Sequence, residues 1–124
     1  MMWLWVFIGG GLGSVARFAV SRLVLSLKYE HFFPLATVLA NLLASVLLGL
    51  LLYRFSDKVL GQGHYFWVVG FCGGFSTFST FSLENWLLFK NAQYVGVALN
   101  LGISVVLSFL LIAFIAKNLS AEAL

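Results

Sequence analysis

The stretch GFCGGFSTFSTFSLE, from Gly70 to Glu84, lies in the middle of an apolar segment that is long enough to cross a membrane. It contains three Gly, five Ser or Thr, and a Phe at every third position from Phe75 to Phe81. Ser and Thr compete for backbone hydrogen bonds, and Gly removes the steric guidance that keeps a helix regular. We therefore expect a transmembrane helix that is broken near its middle. Free peptide groups are costly in hydrocarbon, so the break must be buried in protein or line a watery cavity, which marks a functional site.

The rest of the chain is also strongly apolar. Of its 124 residues 62% are hydrophobic, seven are Lys or Arg, and four are Asp or Glu; the mean hydropathy is +1.05. Charged residues make up about a quarter of a soluble domain, so this composition indicates an integral membrane protein. Four long apolar runs with a single Pro favour helices over a β-barrel, whose strands alternate over about ten residues.

The apolar runs predict an all-α membrane protein with four transmembrane helices in one domain, residues 1–124. Each run has about 20 residues or more, enough to cross roughly 30 Å of hydrocarbon at about 1.5 Å per residue. The first run has no positive segment before it and continues past any plausible cleavage point, so we interpret it as a retained span rather than a signal peptide. The predicted spans are about 3–27, 33–53, 65–89 and 94–116.

Positive charges are balanced across the predicted membrane, with three on each side. They are Arg54, Lys58 and Lys117 on one side, and Arg22, Lys28 and Lys90 on the other. Orientation normally follows an excess of Lys and Arg on the cytoplasmic side, so this balance predicts a chain that inserts both ways up. Two opposite copies would form an antiparallel, dual-topology homodimer with the inverted symmetry of many transporters. The alternative is a chance balance in a small count.

Neither catalysis nor nucleic-acid binding is expected. Three of the four acidic residues, Glu30, Asp57 and Glu122, lie in loops or in the tail, so an enzyme would have no acid-base pair or metal cluster at membrane depth. The basic residues are scattered, whereas binding of nucleic acid requires a clustered basic face.

Uncharged polar side chains recur at helical spacing inside the spans. The three stripes are Thr37 and Asn41; Thr77, Thr80 and Glu84; and Asn100, Ser104 and Ser108. Because they converge on the broken helix, we predict a weakly hydrogen-bonding path for a small ion or molecule. The alternative is that these groups only hold helices together, at about 0.6 kcal/mol each.

Phe78 and Phe81, three residues apart, are predicted to point together beside this path. The positive edge of an aromatic ring can stabilise an anion without a full charge, whereas a Lys or Arg would hold the ion too tightly to release it. Peptide carbonyls freed by a helix break offer, conversely, a site to a cation such as Na⁺.

The first span contains GGGLGSVAR, from Gly9 to Arg17. Gly9 and Gly13 have the small-xxx-small spacing that lets two helices approach closely. An intramembrane Arg normally faces protein or water, so Arg17 is either a tie to helix-end carbonyls or an attractor for an anion. The role of Glu84 is open in the same way. Its alternative is that the side chain only snorkels to the interface.

Three segments resemble the signatures of the CrcB or Fluc family of fluoride ion channels. They are GGGLGSVARF from Gly9, ATVLANLLASVLLGLL from Ala36 and, above all, GFCGGFSTFSTFS from Gly70. The resemblance covers all four spans. It implies an antiparallel homodimer with two pores, which exports F⁻ passively through the bacterial inner membrane and protects the cell from fluoride that enters as the neutral acid.

The same resemblance implies roles for individual residues. Phe78 and Phe81 match the family's Phe box, Asn41 its second-helix Asn beside the pore, and Arg17 its first-helix Arg. The residues that correspond to its polar track are Thr37, Ser79, Thr80, Glu84, Ser104 and Ser108. The backbone carbonyls of Gly73 and Ser76 match the positions that, contributed by both subunits, hold a central structural Na⁺.

Two residues depart from the family pattern. Ser76 stands where Thr is common, which a backbone-carbonyl ligand tolerates, and Asn100 stands where some relatives have Tyr in the track. A different class of function is a proton-coupled exporter of the small multidrug type, also a four-helix dual-topology dimer. Those exporters depend on an acidic residue in the first span, and residues 1–27 contain none. A third class, a purely structural membrane subunit, would not need a polar, broken third helix.

Overall fold

The computed structural model describes residues 1–27, 34–55 and 61–122, and all regular structure in these ranges is helical. We number the helices in chain order. They are α1 (Met2–Ser26), α2 (Leu35–Arg54), α3 (π-wound over His64–Cys72 and α-wound over Gly73–Phe75), α4 (Ser79–Lys90), and α5 (Tyr94–Leu101, then π-wound Gly102–Leu107, then Ser108–Glu122). Lys28 and Lys58, which enter the predicted charge balance, lie outside the described residues.

Four stretches of helix are long and apolar enough to cross a membrane. They are Met2–Ser26, Leu35–Arg54, His64–Lys90 and Tyr94–Leu119. This confirms the prediction of an all-helical, multi-pass membrane protein. Most large apolar side chains on α1 and α5 are exposed on the protomer surface, as expected where the surrounding medium is lipid rather than water.

Helix α1 packs along α3 with almost no side chains between the two backbones. A Cβ atom added to any of four glycines would overlap the backbone of the facing helix. These glycines are Gly9 and Gly13 in α1, and Gly70 and Gly74 in α3. The close approach predicted from Gly9 and Gly13 is confirmed, and its partner is a second pair with the same four-residue spacing.

The small buried core lies where the end of α3 meets α1 and α2. Ala40 and Ala44 of α2 pack with Phe75, and the side chains of Ala16, Val20 and Phe71 surround them. Small residues on α2 let the Phe75 ring enter between the helices, so the end of α3 is held in the middle of the protomer. The residues that follow Phe75 are therefore positioned by two neighbouring helices.

The chain leaves helical geometry at Ser76 and re-enters it at Ser79. Ser76 has extended backbone angles, with φ −76° and ψ 156°. An α-helix needs the N–H of each residue to reach the carbonyl four residues earlier, and an extended residue breaks this series. Residues 76–78 thus lie outside the helices that precede and follow them.

A tight turn places α4 and α5 side by side. Ala92 has a positive φ of 59°, the Gln93 amide donates to the Leu88 carbonyl at 2.9 Å, and the Ala92 amide donates to the Phe89 carbonyl at 3.0 Å. This is the Schellman pattern that closes a helix C-terminus. The reversal brings Asn85 of α4 opposite Asn100 of α5, where their amides are hydrogen-bonded.

Candidate functional site

The non-helical residues 76–78 are held in place by Asn41 of α2. The Asn41 Oδ1 atom accepts the Thr77 amide at 2.9 Å, and the Asn41 Nδ2 atom donates to the Thr77 carbonyl at 3.3 Å. A side-chain amide offers the same donor and acceptor as a peptide group, so Asn41 pairs with Thr77 as a neighbouring strand would. Both backbone groups of Thr77 are satisfied without a helix.

The Thr77–Asn41 hydrogen bond and one further bond, from the Thr80 amide, divert backbone amides away from helical partners. In a continuous helix the Thr77 amide would donate to the Gly73 carbonyl, and the Thr80 amide would donate to the Ser76 carbonyl. The Thr77 amide goes instead to Asn41, and the Thr80 amide goes to the Thr77 hydroxyl at 3.3 Å. The carbonyls of Gly73 and Ser76 thereby lose the donors that a regular helix would supply.

A polar cleft of about 280 Å³ opens between α1, α2 and α4. Its lining residues are Ser14, Arg17, Phe18, Ser21, Ala36, Thr37, Thr77, Thr80 and Glu84. The Thr37 hydroxyl donates to Glu84 Oε1 at 2.8 Å. The Arg17 Nε and Glu84 Oε2 atoms are buried and have no hydrogen-bond partner within the described ranges. The cleft therefore contains an arginine and a glutamic acid side chain that are not paired with each other.

A second cleft of about 240 Å³ lies further along α2. Its lining residues are Asn41, Ser45, Ser76, Thr77, Phe78, Phe81, Ser104, Val105 and Ser108. The ring centroids of Phe78 and Phe81 are 5.8 Å apart with the planes tilted by 41°. Phe81 is only 6% exposed and Phe78 is 78% exposed, so one ring belongs to the protomer interior and the other projects from its surface. The two clefts share Thr77.

Comparison with known proteins identifies the family. The family model for CrcB-like protein, Camphor Resistance (CrcB), matches residues 4–116. The chain belongs to the CrcB family. The resemblance stated from the Gly9, Ala36 and Gly70 segments is thereby confirmed.

Curated CrcB relatives cover most of the chain and carry one name, fluoride-specific ion channel FluC. The relative from Azobacteroides pseudotrichonymphae is 41% identical over 103 residues, 82% of each chain. The relative from Ignicoccus hospitalis is 37% identical over 111 residues, 89% of this chain and 88% of its own. The relative from Pyrococcus furiosus is 41% identical over 109 residues, 86% of each chain. This name describes a channel rather than an enzyme, as predicted, and does not favour the small multidrug class.

The structure distributes the residues implied by the CrcB resemblance over the two clefts. The first contains Arg17, Thr37, Thr80 and Glu84, and the second contains Asn41, Phe78, Phe81, Ser104 and Ser108. Ser79 lines neither, although its hydroxyl lies 3.5 Å from the Thr77 hydroxyl. Gly73 lies on the protomer surface in a shallow groove with Ser76, Ser45 and Cys72.

Sequence reasoning missed several polar residues that line these clefts. Ser14 and Ser21 flank Arg17 at spacings of three and four residues, so one face of α1 carries all three into the first cleft. Ser45 follows Asn41 by one helical turn and lines the second cleft. The spacing that revealed the other stripes would have found these residues too.

The surroundings of Arg17 and Glu84 bear on the two alternatives given for each: a tie to helix-end carbonyls for Arg17, and snorkelling to the interface for Glu84. Within the described part of the chain the Arg17 Nε atom is buried without a partner, so it makes no tie to a helix-end carbonyl there. Glu84 is half-buried and accepts the Thr37 hydroxyl, so its Oε1 atom points into the protein rather than to an interface. Both side chains belong to the first cleft.

Proposed function

We propose that this CrcB chain is a fluoride-specific ion channel that lets F⁻ leave the cytoplasm passively. The observation that carries the proposal is that two polar clefts follow one another along α2 and share Thr77. Ala36 and Thr37 line the first cleft, and Asn41 and Ser45 line the second, one and two turns further on. A row of clefts that share one residue supports a path for a small ion.

The two clefts differ in the way that they would stabilise an anion. Arg17 supplies a positive charge to the first cleft, which favours entry of an anion from water. Of the described residues that line the second cleft, none is charged. There the ring edges of Phe78 and Phe81 and neutral polar groups replace the charge. Weak binding in this part of the path lets the ion leave, as conduction requires.

We further propose that two copies assemble antiparallel. A groove beside the interruption is lined mainly by small residues, which let a second backbone come near; its lining is Ala44, Ser45, Leu48, Val68, Cys72, Gly73 and Ser76. The carbonyls of Gly73 and Ser76, which have lost their helical donors, need a neighbour other than lipid, because lipid satisfies no hydrogen bond. A second copy in the opposite orientation would supply the same groups by symmetry.

A structural Na⁺ at the interface of the two copies fits the residues present. The carbonyls of Gly73 and Ser76 have lost their helical donors to Asn41 and to the Thr77 hydroxyl. Beyond the adjoining backbone, no atom of the described residues lies within 4 Å of the place where a Cβ on Gly73 would stand, so this side of the chain is open to a partner. Carbonyl oxygens freed by a helix break are the groups that bind Na⁺ in membrane transporters, and bound Na⁺ would join the two copies.

Fluoride and chloride efflux from proteoliposomes tests the proposed function. We expect purified protein to release F⁻ rapidly and to retain Cl⁻, measured with ion-selective electrodes. Replacing Na⁺ on both sides by N-methylglucamine is expected to slow F⁻ release, because the carbonyl site then lacks its cation. Equal release of both anions, or proton-driven drug uptake without F⁻ release, would contradict the proposal.

Cysteine labelling from one side of the membrane tests the antiparallel arrangement. We use Asn91→Cys, in the exposed turn after α4, on a Cys72→Ser background. An impermeant maleimide added to sealed vesicles is expected to label about half of the molecules, and permeabilisation is expected to expose the rest. Labelling of all molecules, or of none, before permeabilisation would show a single orientation and overturn the dimer proposed here.

A further inference from the structure

A chain of two hydrogen bonds, one buried and one partly buried, joins α4 to α5 beside the second cleft. The Ser104 hydroxyl donates to Asn100 Oδ1 at 3.2 Å, and Asn100 Nδ2 donates to Asn85 Oδ1 at 3.0 Å. Asn100 is completely buried. The Asn100 side chain thus donates a hydrogen bond to Asn85 and accepts one from Ser104. Asn85 and Asn100 themselves do not line the cleft.

The four serines that line the second cleft are not equivalent as hydrogen-bond donors. Ser45 donates to the Asn41 carbonyl and Ser76 to the Cys72 carbonyl, both at 2.8 Å, and Ser104 donates to Asn100. A serine hydroxyl has one proton to donate, so these three have none left for an ion. The Ser108 hydroxyl oxygen is buried and has no partner anywhere in the described ranges.

Ser104 also differs from Ser45 and Ser76 in what directs its proton. A serine within a helix commonly donates to the carbonyl four residues earlier; Ser45 does so in α2, and Ser76 does so directly after the end of α3. Ser104 donates instead to a side chain, that of Asn100. The direction of its O–H bond is therefore set by the amide pair rather than by the local backbone.

We propose that Asn100 and Asn85 are positioning residues, which direct the Ser104 hydroxyl proton away from the ion path. Ser108 is then the serine that donates a hydrogen bond to the anion. The inference rests on the proposed function and assigns different roles to two hydroxyls one helical turn apart. A hydroxyl oxygen whose proton is committed elsewhere presents its lone pairs to the cleft, and lone pairs repel an anion. Ser108 binds F⁻, and Ser104 limits how tightly the cleft as a whole holds it.

Matched hydroxyl deletions test this division. We expect Ser108→Ala to lower F⁻ efflux by about tenfold, as loss of one hydrogen bond to an ion predicts, and Ser108→Thr to restore it. Ser104→Ala should change efflux by less than about threefold, since it removes no donor from the path. Ser26→Ala, at the exposed end of α1, is the control. Equal losses in the two α5 variants, or a larger loss in Ser104→Ala, would overturn the proposal.

A double-mutant cycle tests whether Asn100 acts through Ser104. Asn100→Leu removes the side-chain acceptor of the Ser104 proton, so an anion in the cleft competes for that proton only with the backbone carbonyl of residue 100. We expect the F⁻ concentration for half-maximal efflux to fall by about fivefold, with a lower maximal rate, because one more donor holds the ion. In the Ser104→Ala background the same substitution should produce no shift.

A purely structural role of Asn100 would change efflux equally in both backgrounds, and that result would overturn the proposal.

Asn85→Leu provides a second variant in case Asn100→Leu does not fold, because it loosens the Asn100 amide but leaves the Ser104 bond in place. It should shift the half-maximal concentration in the same direction by less, and no shift would count against the proposal. If the wild-type protein releases no F⁻, the proposed function itself is refuted. If the wild-type protein releases F⁻ but Ser104→Ala and Ser108→Ala have the same effect, only this inference is refuted.

Discussion

Asn41→Asp is expected to abolish fluoride efflux, whereas Asn91→Asp should leave it unchanged. Asn41 holds both backbone groups of Thr77, at the one residue that the two clefts share. An ionised Asp at this position cannot donate to the Thr77 carbonyl and directs negative charge at that carbonyl and at the permeating anion. Asn91 lies in an exposed turn after α4 and undergoes the same chemical change outside the path.

The expected effect is large because two penalties add. The Thr77 carbonyl loses its donor, and the permeating anion meets a like charge. A charge buried without a suitable partner costs about 3 kcal/mol, and a barrier higher by that amount lowers the rate by more than about 100-fold. Efflux from proteoliposomes measures the loss, and size-exclusion chromatography shows whether the protein is still assembled. Normal efflux by an assembled Asn41→Asp protein would mean that the Thr77 region is not part of the ion path.

Gly13→Ala is expected to prevent folding, whereas Gly11→Ala, two residues earlier on the same helix, should be tolerated. A Cβ on Gly13 would stand 2.9 Å from the Phe75 amide nitrogen and closer still to the Phe71 carbonyl oxygen. A Cβ on Gly11 would meet no atom within 4 Å among the described residues outside its own stretch of helix. Both variants gain one methyl group and the higher helix propensity of Ala, so their difference isolates the contact with α3.

Backbone atoms cannot move aside as the end of a flexible side chain can, so the two helices must separate. Overpacking in a well-packed interior costs about 1–3 kcal/mol and occasionally more, and separation of α1 from α3 would also remove the support of Phe75. We expect little folded Gly13→Ala protein in detergent and a wild-type melting temperature for Gly11→Ala. A Gly13→Ala protein as stable as Gly11→Ala would show that the close approach of α1 and α3 does not stabilise the fold.

Much of the architecture could be predicted because its signals are local. Hydropathy over windows of about 20 residues identifies spans whatever their neighbours are. The spacing of Gly9 and Gly13 indicates a close helix contact, although only the structure names Gly70 and Gly74 as the partners. The same periodicity placed Thr77, Thr80 and Glu84 on one face of a helix, and these three residues line one cleft.

Hydrogen-bond partners across the fold could not be predicted in this way. The sequence shows Asn41 and Thr77 as two polar residues 36 positions apart. The structure shows that the Asn41 side chain forms hydrogen bonds with both backbone groups of Thr77. Sequence spacing makes Ser104 and Ser108 equivalent members of a stripe. Ser104 differs from Ser108 because it donates to Asn100, which is bound in turn to Asn85. Asn85 belongs to another helix and to none of the predicted stripes.

The amino-acid sequence by itself determined the number of membrane crossings, the position of the polar segment around Gly70–Glu84, the spacing of the glycines in α1, and the family. These features follow from composition and periodicity, which act over one helix at a time. The tertiary structure alone decided which carbonyls lose their helical donors, which hydroxyls keep a free proton, and which glycines face each other. The physical reason is that a hydrogen bond or a backbone contact depends on distances of a few tenths of an ångström between atoms of different helices, and those distances are set only when the helices pack.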